Sequence, residues 1–485
     1  MTHQQTNTTT PSTTSASTTT ASAPASLTAN QPTPNSYKRL KRYAKILAWR
    51  QLHITDSGFV LLLSVVVGLL SGIAAWLLKL MISTIAKIAS EGHTPGEWNW
   101  IYLILPVIGI TLAGLFCRYL LKANVSNGVK KMVDDLNNKQ YQLSPKTIYG
   151  SLIASSLTLG MGGTAGSEGP IAYAGAGIGS GLGRIFRLSP QLMAILVGCG
   201  AGAGIAGIFK APVGGALFTL EVLRVELSTI AVIGVFLATL VAALTAYALS
   251  GCTLDINVVS PGAFDNHTLL WAVALGIVCG LYSLYYTKSG GMTRHLLDRM
   301  SSPWLKYLTS GLAIGVMILL FPSLYGEGYG AITKVINGNS DTLASAGALS
   351  HLELTPWLIV AICGGMLLFK GIGSSATNNG GGVAGDFAPT LFAGCMLGLM
   401  FALALNTLHV TDLNTAHYAL IGMAGAMAGI IRAPLMAMFL TTEMVGGFEF
   451  LLPAAVVALI SYCIVMIFKR DTFYHSQPYI SPQQL

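Results

Sequence analysis

An all-α polytopic membrane protein is the fold class that the sequence predicts. Only 9% of the 485 residues are charged and 53% are hydrophobic, whereas a typical soluble domain has roughly 25% charged residues. Apolar stretches of about 18 residues or more, long enough to span a bilayer, recur along the chain. They include Val60–Leu80, Ile101–Leu121, Ile230–Leu249, Leu269–Tyr286 and Leu451–Phe468. Many apolar stretches are interrupted by Gly or Pro, and the 55 glycines predict tilted or broken helices that end within the bilayer.

The two ends of the chain predict how it is oriented. Residues 1–36 are rich in Thr, Ser, Ala and Pro, which is typical of a disordered tail. Residues 37–56 form a basic juxtamembrane segment, and two further basic residues follow the last apolar stretch, before a short tail of residues 471–485. Because basic residues collect on the cytoplasmic side, we expect two cytoplasmic tails flanking a transmembrane domain of residues 57–470.

Charge and cysteine content exclude several classes of function. The net charge of +8 is concentrated beside the membrane, which favours contact with anionic lipid over nucleic-acid binding. The seven cysteines are odd in number and lie mostly within apolar stretches, so they do not indicate a disulfide framework. The sequence has no CxxC motif or Cys/His cluster, and we expect no metal and no cofactor.

Two pairs of similar segments indicate an internal duplication. "GAGAGIAGIFKAPVGGALFTLEV" (Gly200–Val222) aligns without gaps with "GMAGAMAGIIRAPLMAMFLTTEM" (Gly422–Met444), and "AGSEGPIAYAGAGIG" (Ala165–Gly179) aligns with "AGDFAPTLFAGCMLG" (Ala384–Gly398). The offsets are nearly equal, which favours two repeated halves, roughly 57–250 and 267–470, over chance similarity of Gly/Ala-rich segments. Paired broken helices in two such halves are typical of a transporter with its site at the repeat interface.

"GSEGP" and "GDFAP" have the composition of helix starts, since proline suits a first helical turn. The N-terminus of a helix exposes N–H groups and about half a positive charge, so two such ends can hold an anion without a lysine. Glu168 is the one charged residue in the first of these motifs. A carboxylate there could occupy the place of the anion and leave it when protonated. The alternative is a plain N-cap.

These motifs, with "APVGGALFTLE" between them, resemble those of the CLC family of chloride channels and chloride/proton exchangers. The resemblance spans roughly Ser57 to Ser476. It implies the CLC fold of two inverted repeats, a homodimer with one pore in each subunit, and a gating or proton-carrying role for Glu168. It also implies a set of residues that contact the anion: Gly166, Gly169, Phe387, Ala388 and Tyr474.

Several of the family's anion-site residues are replaced in this chain. The serine of the family motif "GSGIP" falls on Asn127 of "SNGVK", and the adjacent Ser126 is an alternative ligand. An ungapped alignment places His475 at the position of the family's anion-contacting tyrosine, whereas a one-residue gap places Tyr474 there. The variable position of the family's "GxFxP" is Asp386, which we expect to cap its own helix and to point away from the anion.

Two further departures concern charge. The arginine of the family motif "GREGP" is Ser167 here. The internal proton-accepting glutamate of proton-coupled members is Val222, which cannot carry a proton. Glu221 and Glu443 occupy corresponding positions in the two halves, and we interpret them as structural or helix-end residues, with Glu221 as an alternative proton site.

The resemblance therefore predicts a voltage- or pH-gated chloride channel with a glutamate gate, and Val222 favours this over the alternative of a chloride/proton antiporter. A fluoride exporter and an intramembrane enzyme are remote alternatives, because the chain keeps the "GxFxP" pattern and has no catalytic set of residues. The expected partners are chloride or other small anions, the lipid bilayer, a second copy of the chain and, in the antiporter alternative, protons. We expect a bacterial inner (plasma) membrane location and no enzyme activity.

Overall fold

The computed structural model describes residues 45, 50, 52–90, 100–123, 125, 128–138, 141–225, 228–253, 269–343 and 355–468. The predicted tail of residues 1–36, the tail of 471–485 and most of the basic segment lie outside these ranges. The chain divides into a unit of Met1–Ile54 and a unit of Thr55–Leu485. Every helix named below belongs to the second unit.

The described part of the second unit is helical. Its sixteen α-helices are α1 (Asp56–Ser90), α2 (Ile101–Leu115), α3 (Gly128–Asn137), α4 (Lys146–Gly160), α5 (Glu168–Ile185), α6 (Pro190–Phe209), α7 (Pro212–Leu217), α8 (Thr229–Leu249), α9 (Leu269–Asp298), α10 (Pro303–Leu320), α11 (Tyr329–Ile336), α12 (Pro356–Asn379), α13 (Phe387–Thr407), α14 (Thr415–Ile431), α15 (Pro434–Val445) and α16 (Leu451–Phe468). π-helical turns extend α2 over Phe116–Leu121 and α7 over Phe218–Val222.

These helices confirm the predicted fold class. Nine helical segments of the described chain are long and apolar enough to cross a bilayer, and three shorter apolar ones, Pro212–Val222, Thr415–Ile431 and Pro434–Val445, are not. Part-length helices of this kind are what the glycine and proline interruptions predicted. The protein is thus an integral, multi-pass membrane protein with broken helices.

The repeat predicted from sequence is visible in the packing of α5 on α6 and of α13 on α14. A Cβ atom added to Gly175 would collide with the carbonyl oxygen of Gly200, and one added to Gly200 would collide with that of Gly175. Gly394 and Gly422 block each other in the same way, and they are the aligned positions of the second half. Small residues let two backbones approach closely inside a membrane, so each half builds one tightly apposed helix pair.

Two glutamates join the halves by exchanging helix caps. The Glu443 carboxylate accepts hydrogen bonds from the backbone N–H groups of Val213 (3.0 Å) and Gly214 (2.8 Å) in α7. The Glu221 carboxylate accepts from those of Leu435 (3.4 Å) and Met436 (2.8 Å) in α15. Each glutamate therefore occupies the helix-end role predicted for it, but it caps the helix of the other half.

Candidate functional site

The starts of α5 and α13 meet at a pair of glycines. Gly166 N–H donates to Gly385 O (2.8 Å), and Gly385 N–H donates to Gly166 O (2.6 Å). This two-residue antiparallel bridge leaves no room for side chains, since a Cβ added to Gly385 would lie 2.7 Å from Gly169 N. Because aligned residues of the two halves pair with each other, two helix N-termini with their exposed N–H groups lie side by side.

Glu168 is the first residue of α5 and is completely buried. Its carboxyl group folds back over Gly166, where an added Cβ would collide with Oε2 and would lie 3.1 Å from the Cβ of Ala388. Tyr329 OH donates a 2.7 Å hydrogen bond to Oε1. Oε2 has no hydrogen-bond partner among the described residues. The backbone N–H groups of Glu168 and Ala388 interact electrostatically with this carboxyl group. The negative charge therefore lies at the junction of the two helix starts.

The predicted residues of the second half surround the same junction. Phe387 and Ala388 open α13 and are fully buried, and the Phe387 ring makes an edge contact with Phe218 at a centroid distance of 5.5 Å. Gly166 and Gly169 of the first half lie directly against Gly385. Four of the predicted anion contacts are thus brought together.

The prediction that Asp386 caps α13 is wrong. Its side chain makes no capping hydrogen bond and instead accepts from Ser374 Oγ (2.6 Å) and Asn378 Nδ2 (3.3 Å) of α12. The two side-chain donors of α12 hold the carboxylate, so the N–H groups at the start of α13 are left uncapped by it.

Three predicted anion ligands, Ser126, Asn127 and Tyr474, lie outside the described residues, and they stay predictions. Val222 ends the π-helical turn after α7 and is 5% exposed. A buried apolar side chain thus stands where the family resemblance expects an internal proton acceptor, and the neighbouring Glu221 caps α15.

Sequence reasoning missed three residues around Glu168. Tyr329 binds it directly, and Glu327 accepts hydrogen bonds from Ser167 N–H (2.9 Å) and Ser167 Oγ. Lys370, within α12, is completely buried, and its Nζ donates to Thr164 Oγ1 (2.9 Å). A charged residue in the middle of an apolar helix is itself a signal of function, and that signal could have found Lys370.

A cavity of about 420 Å³ borders two of these residues, Glu327 and Tyr329. Its lining includes Lys79, Lys210, Glu327 and Tyr329. The Nζ of Lys79 lies 5.8 Å from the centroid of the Tyr329 ring. Tyr329 therefore has its ring against the cavity and its hydroxyl group on Glu168.

A membrane protein of two similar halves, whose broken helices meet at a buried carboxylate, belongs to the transporter class. Residues 109–466 match the family described as "Voltage gated chloride channel". The chain is a member of this family, the CLC family.

Similar proteins carry names of both kinds known in this family. The chain is 28% identical over 381 residues to a "Putative chloride channel protein ClcB-like" of Ralstonia nicotianae, covering 75% of this chain and 82% of that protein. It is 25% identical over 424 residues to an "H(+)/Cl(-) exchange transporter ClcA" of Klebsiella pneumoniae, covering 82% and 84%.

Solved structures confirm the CLC fold. A slow cyanobacterial Cl−/H+ antiporter aligns with a TM-score of 0.72 at 22% identity, covering 86% of this chain and 96% of that one. A CLC-type fluoride/proton antiporter aligns with a TM-score of 0.69 at 22% identity, covering 88% and 100%. At this level of identity the likeness concerns the fold alone.

Proposed function

We propose that this protein transports chloride across a membrane through a pathway gated by Glu168. The observation that carries the proposal is the buried Glu168 carboxylate at the junction of two helix N-termini, held there by Tyr329. The names of the similar proteins support chloride as the ion. The other proposed anion contacts are Gly166, Gly169, Phe387, Ala388, Tyr474 and either Asn127 or Ser126.

The chemistry of the proposed gate is competition between two anions. Partial positive charges at helix ends attract chloride without binding it so tightly that it cannot leave. A carboxylate tethered at the same ends satisfies them and excludes the mobile anion. Protonation removes the charge that holds the side chain there, so the side chain yields its place to chloride.

The decisive experiment is chloride efflux from liposomes that contain the purified protein, measured over a series of pH values. Glu168→Gln removes the charge but keeps the size of the side chain. We expect faster efflux than in the wild type and no remaining pH dependence. The matched control is Glu449→Gln, which neutralises an exposed carboxylate and is expected to leave both properties unchanged. Wild-type flux and pH response in the Glu168 variant would overturn the proposal.

Within this function we favour passive, gated conduction over obligatory exchange with protons. Val222 cannot carry a proton, and the adjacent Glu221 is engaged by two backbone N–H groups of α15. Proton-coupled exchange is the second candidate, supported by the resemblance to a named exchange transporter.

The assembly and location that we propose follow from the family resemblance. Two copies would pair, each with its own pathway, in a bacterial inner (plasma) membrane with both tails cytoplasmic. Chloride, other small anions and, for the second candidate, protons would be the transported species.

A further inference from the structure

Two charged residues outside the sequence motifs described above lie next to the proposed gate. Glu327 is in the segment before α11 and binds both the backbone N–H group and the hydroxyl group of Ser167. Ser167 directly precedes Glu168 and stands where the family motif "GREGP" has an arginine. The Glu327 carboxylate therefore binds the position at which the family motif has a positively charged arginine. A negative group thus lies beside the proposed gate in this chain.

Lys370 brings a positive charge to the same place from α12. It is completely buried, donates to Thr164 Oγ1 at 2.9 Å, and lies 4.7 Å from the centroid of the Phe392 ring. Its ammonium group interacts electrostatically with both Glu168 and Glu327. A buried charge in a membrane protein is costly unless other charges and dipoles offset that cost, and the two glutamates provide such an offset.

Further polar groups near Glu168 have contacts of their own. Tyr329 from α11 donates to the carboxylate, and Lys79 from α1 lies against the ring of Tyr329 at 5.8 Å. At the start of α13, Asp386 is held by Ser374 and Asn378 of α12. Glu327 and Lys370 are two charged residues of the described chain that interact electrostatically with Glu168.

We propose that Glu327 and Lys370 are positioning residues that set the proton concentration at which the Glu168 gate opens, and that they act in opposite directions. The inference rests on the proposed gating role of Glu168. A neighbouring negative charge makes a carboxylate bind its proton more readily, and a neighbouring positive charge makes it bind the proton less readily. Glu327 thus favours the open gate and Lys370 the closed one.

The cavity gives Glu327 a further property. Glu327 lines the cavity of about 420 Å³ together with Lys79 and Lys210, whereas Lys370 is completely buried. Glu327 is therefore the member of the pair that solvent can reach. Its hydrogen bonds to Ser167 hold the Glu327 carboxylate against the residue that directly precedes Glu168.

The test is the pH of half-maximal chloride efflux from liposomes. Glu327→Gln removes the negative charge, and we expect the midpoint to move to lower pH, to a proton concentration about tenfold higher. Glu327→Asp keeps the charge and is expected to restore much of the wild-type midpoint. Lys370→Met removes the positive charge and is expected to move the midpoint to higher pH by a similar factor.

A matched control and a measure of folding make the outcome decisive. Asp341 is an exposed carboxylate beyond the other end of α11, and Asp341→Asn should leave the midpoint in place. Each variant is first checked for a monodisperse elution profile in detergent and for wild-type maximal efflux at acidic pH. If Lys370→Met does not fold, the comparison of Glu327→Gln with Glu327→Asp decides alone.

A Glu327→Gln midpoint that is unchanged, or that moves to higher pH, would overturn the inference. The Glu168→Gln variant separates this failure from failure of the proposed function. If Glu168→Gln abolishes the pH response while Glu327→Gln leaves the midpoint unchanged, only the role of Glu327 is wrong. If Glu168→Gln retains the pH response, the gate itself is elsewhere.

Discussion

Two single residues, Glu443 and Glu221, each bind the start of a short helix in the opposite half of the protein. Glu443 satisfies two backbone N–H groups at the start of α7, and Glu221 satisfies two at the start of α15. A helix start has N–H groups without intrahelical partners, and water is not available to pair them within a bilayer. Each short helix therefore depends on a carboxylate from the opposite half.

The residue-scale prediction is that Glu443→Ala destabilises the protein. We expect a loss of about 1–3 kcal/mol in the free energy of unfolding, because two charge-assisted hydrogen bonds to a helix start are removed. Unfolding of the purified protein in mixed micelles, followed by circular dichroism, measures this loss. Glu449→Ala, at an exposed position of the same half, is the control, and equal stability of the two variants would show that the caps are dispensable.

How much of the site could be predicted depends on how far apart its residues lie in the sequence. Glu168, Phe387 and Ala388 stand within short motifs whose glycines and prolines have a local meaning, and the sequence identified them. Tyr329 reaches Glu168 from 161 positions away, and Lys370 reaches Thr164 from 206 positions away. No local pattern marks such pairs, because they form only when α11 and α12 fold against the start of α5.

The helices show which glycines the fold requires. Along α5, Gly175 lies against the backbone of α6, where an added Cβ would collide with Gly200 O, whereas an added Cβ at Gly181 has nothing within 4 Å. The run "AGAGIGSG" (Ala174–Gly181) has the small residues typical of close helix packing, and the structure divides that run into a contact position and an open one. Sequence alone could not make this division, since both residues are glycines in the same apolar helix.

The element-scale prediction compares alanine substitutions at these two positions. Gly175→Ala forces α5 and α6 apart, and we expect a loss of about 1–3 kcal/mol in stability or failure to fold. Gly181→Ala meets no obstacle and removes the helix penalty of glycine, so we expect a gain of about 0.5–1 kcal/mol. Yield of monodisperse protein and the midpoint of thermal unfolding in detergent measure both effects. Equal behaviour of the two variants would contradict this account of the packing.

On the scale of the whole molecule, the two halves depend on each other. One half supplies Glu168 and the start of α5, and the other supplies the start of α13. The bridge between Gly166 and Gly385 joins them at their aligned positions, and the exchanged glutamate caps join them a second time. The junction of the two helix starts therefore needs both halves, and the duplication that the sequence indicated is also the basis of the proposed site.

The duplication does not determine whether chloride movement is coupled to protons. The prediction for the whole molecule concerns this coupling. Val222 is apolar, and Glu221 caps α15, so the described structure offers neither residue as a free proton carrier to Glu168. We expect passive conduction. In planar bilayers or liposomes with opposed chloride and proton gradients, the reversal potential should equal the chloride equilibrium potential.

The proton gradient is the variable that distinguishes the two mechanisms. With chloride concentrations fixed, a change in the pH of one compartment should alter the rate of chloride movement, because protonation of Glu168 is the proposed opening step, but should leave the reversal potential in place. In an exchanger the free energy of the proton gradient adds to that of chloride, so the reversal potential would move with pH. A shift of that kind would establish the second candidate, and it would require a proton carrier other than Val222.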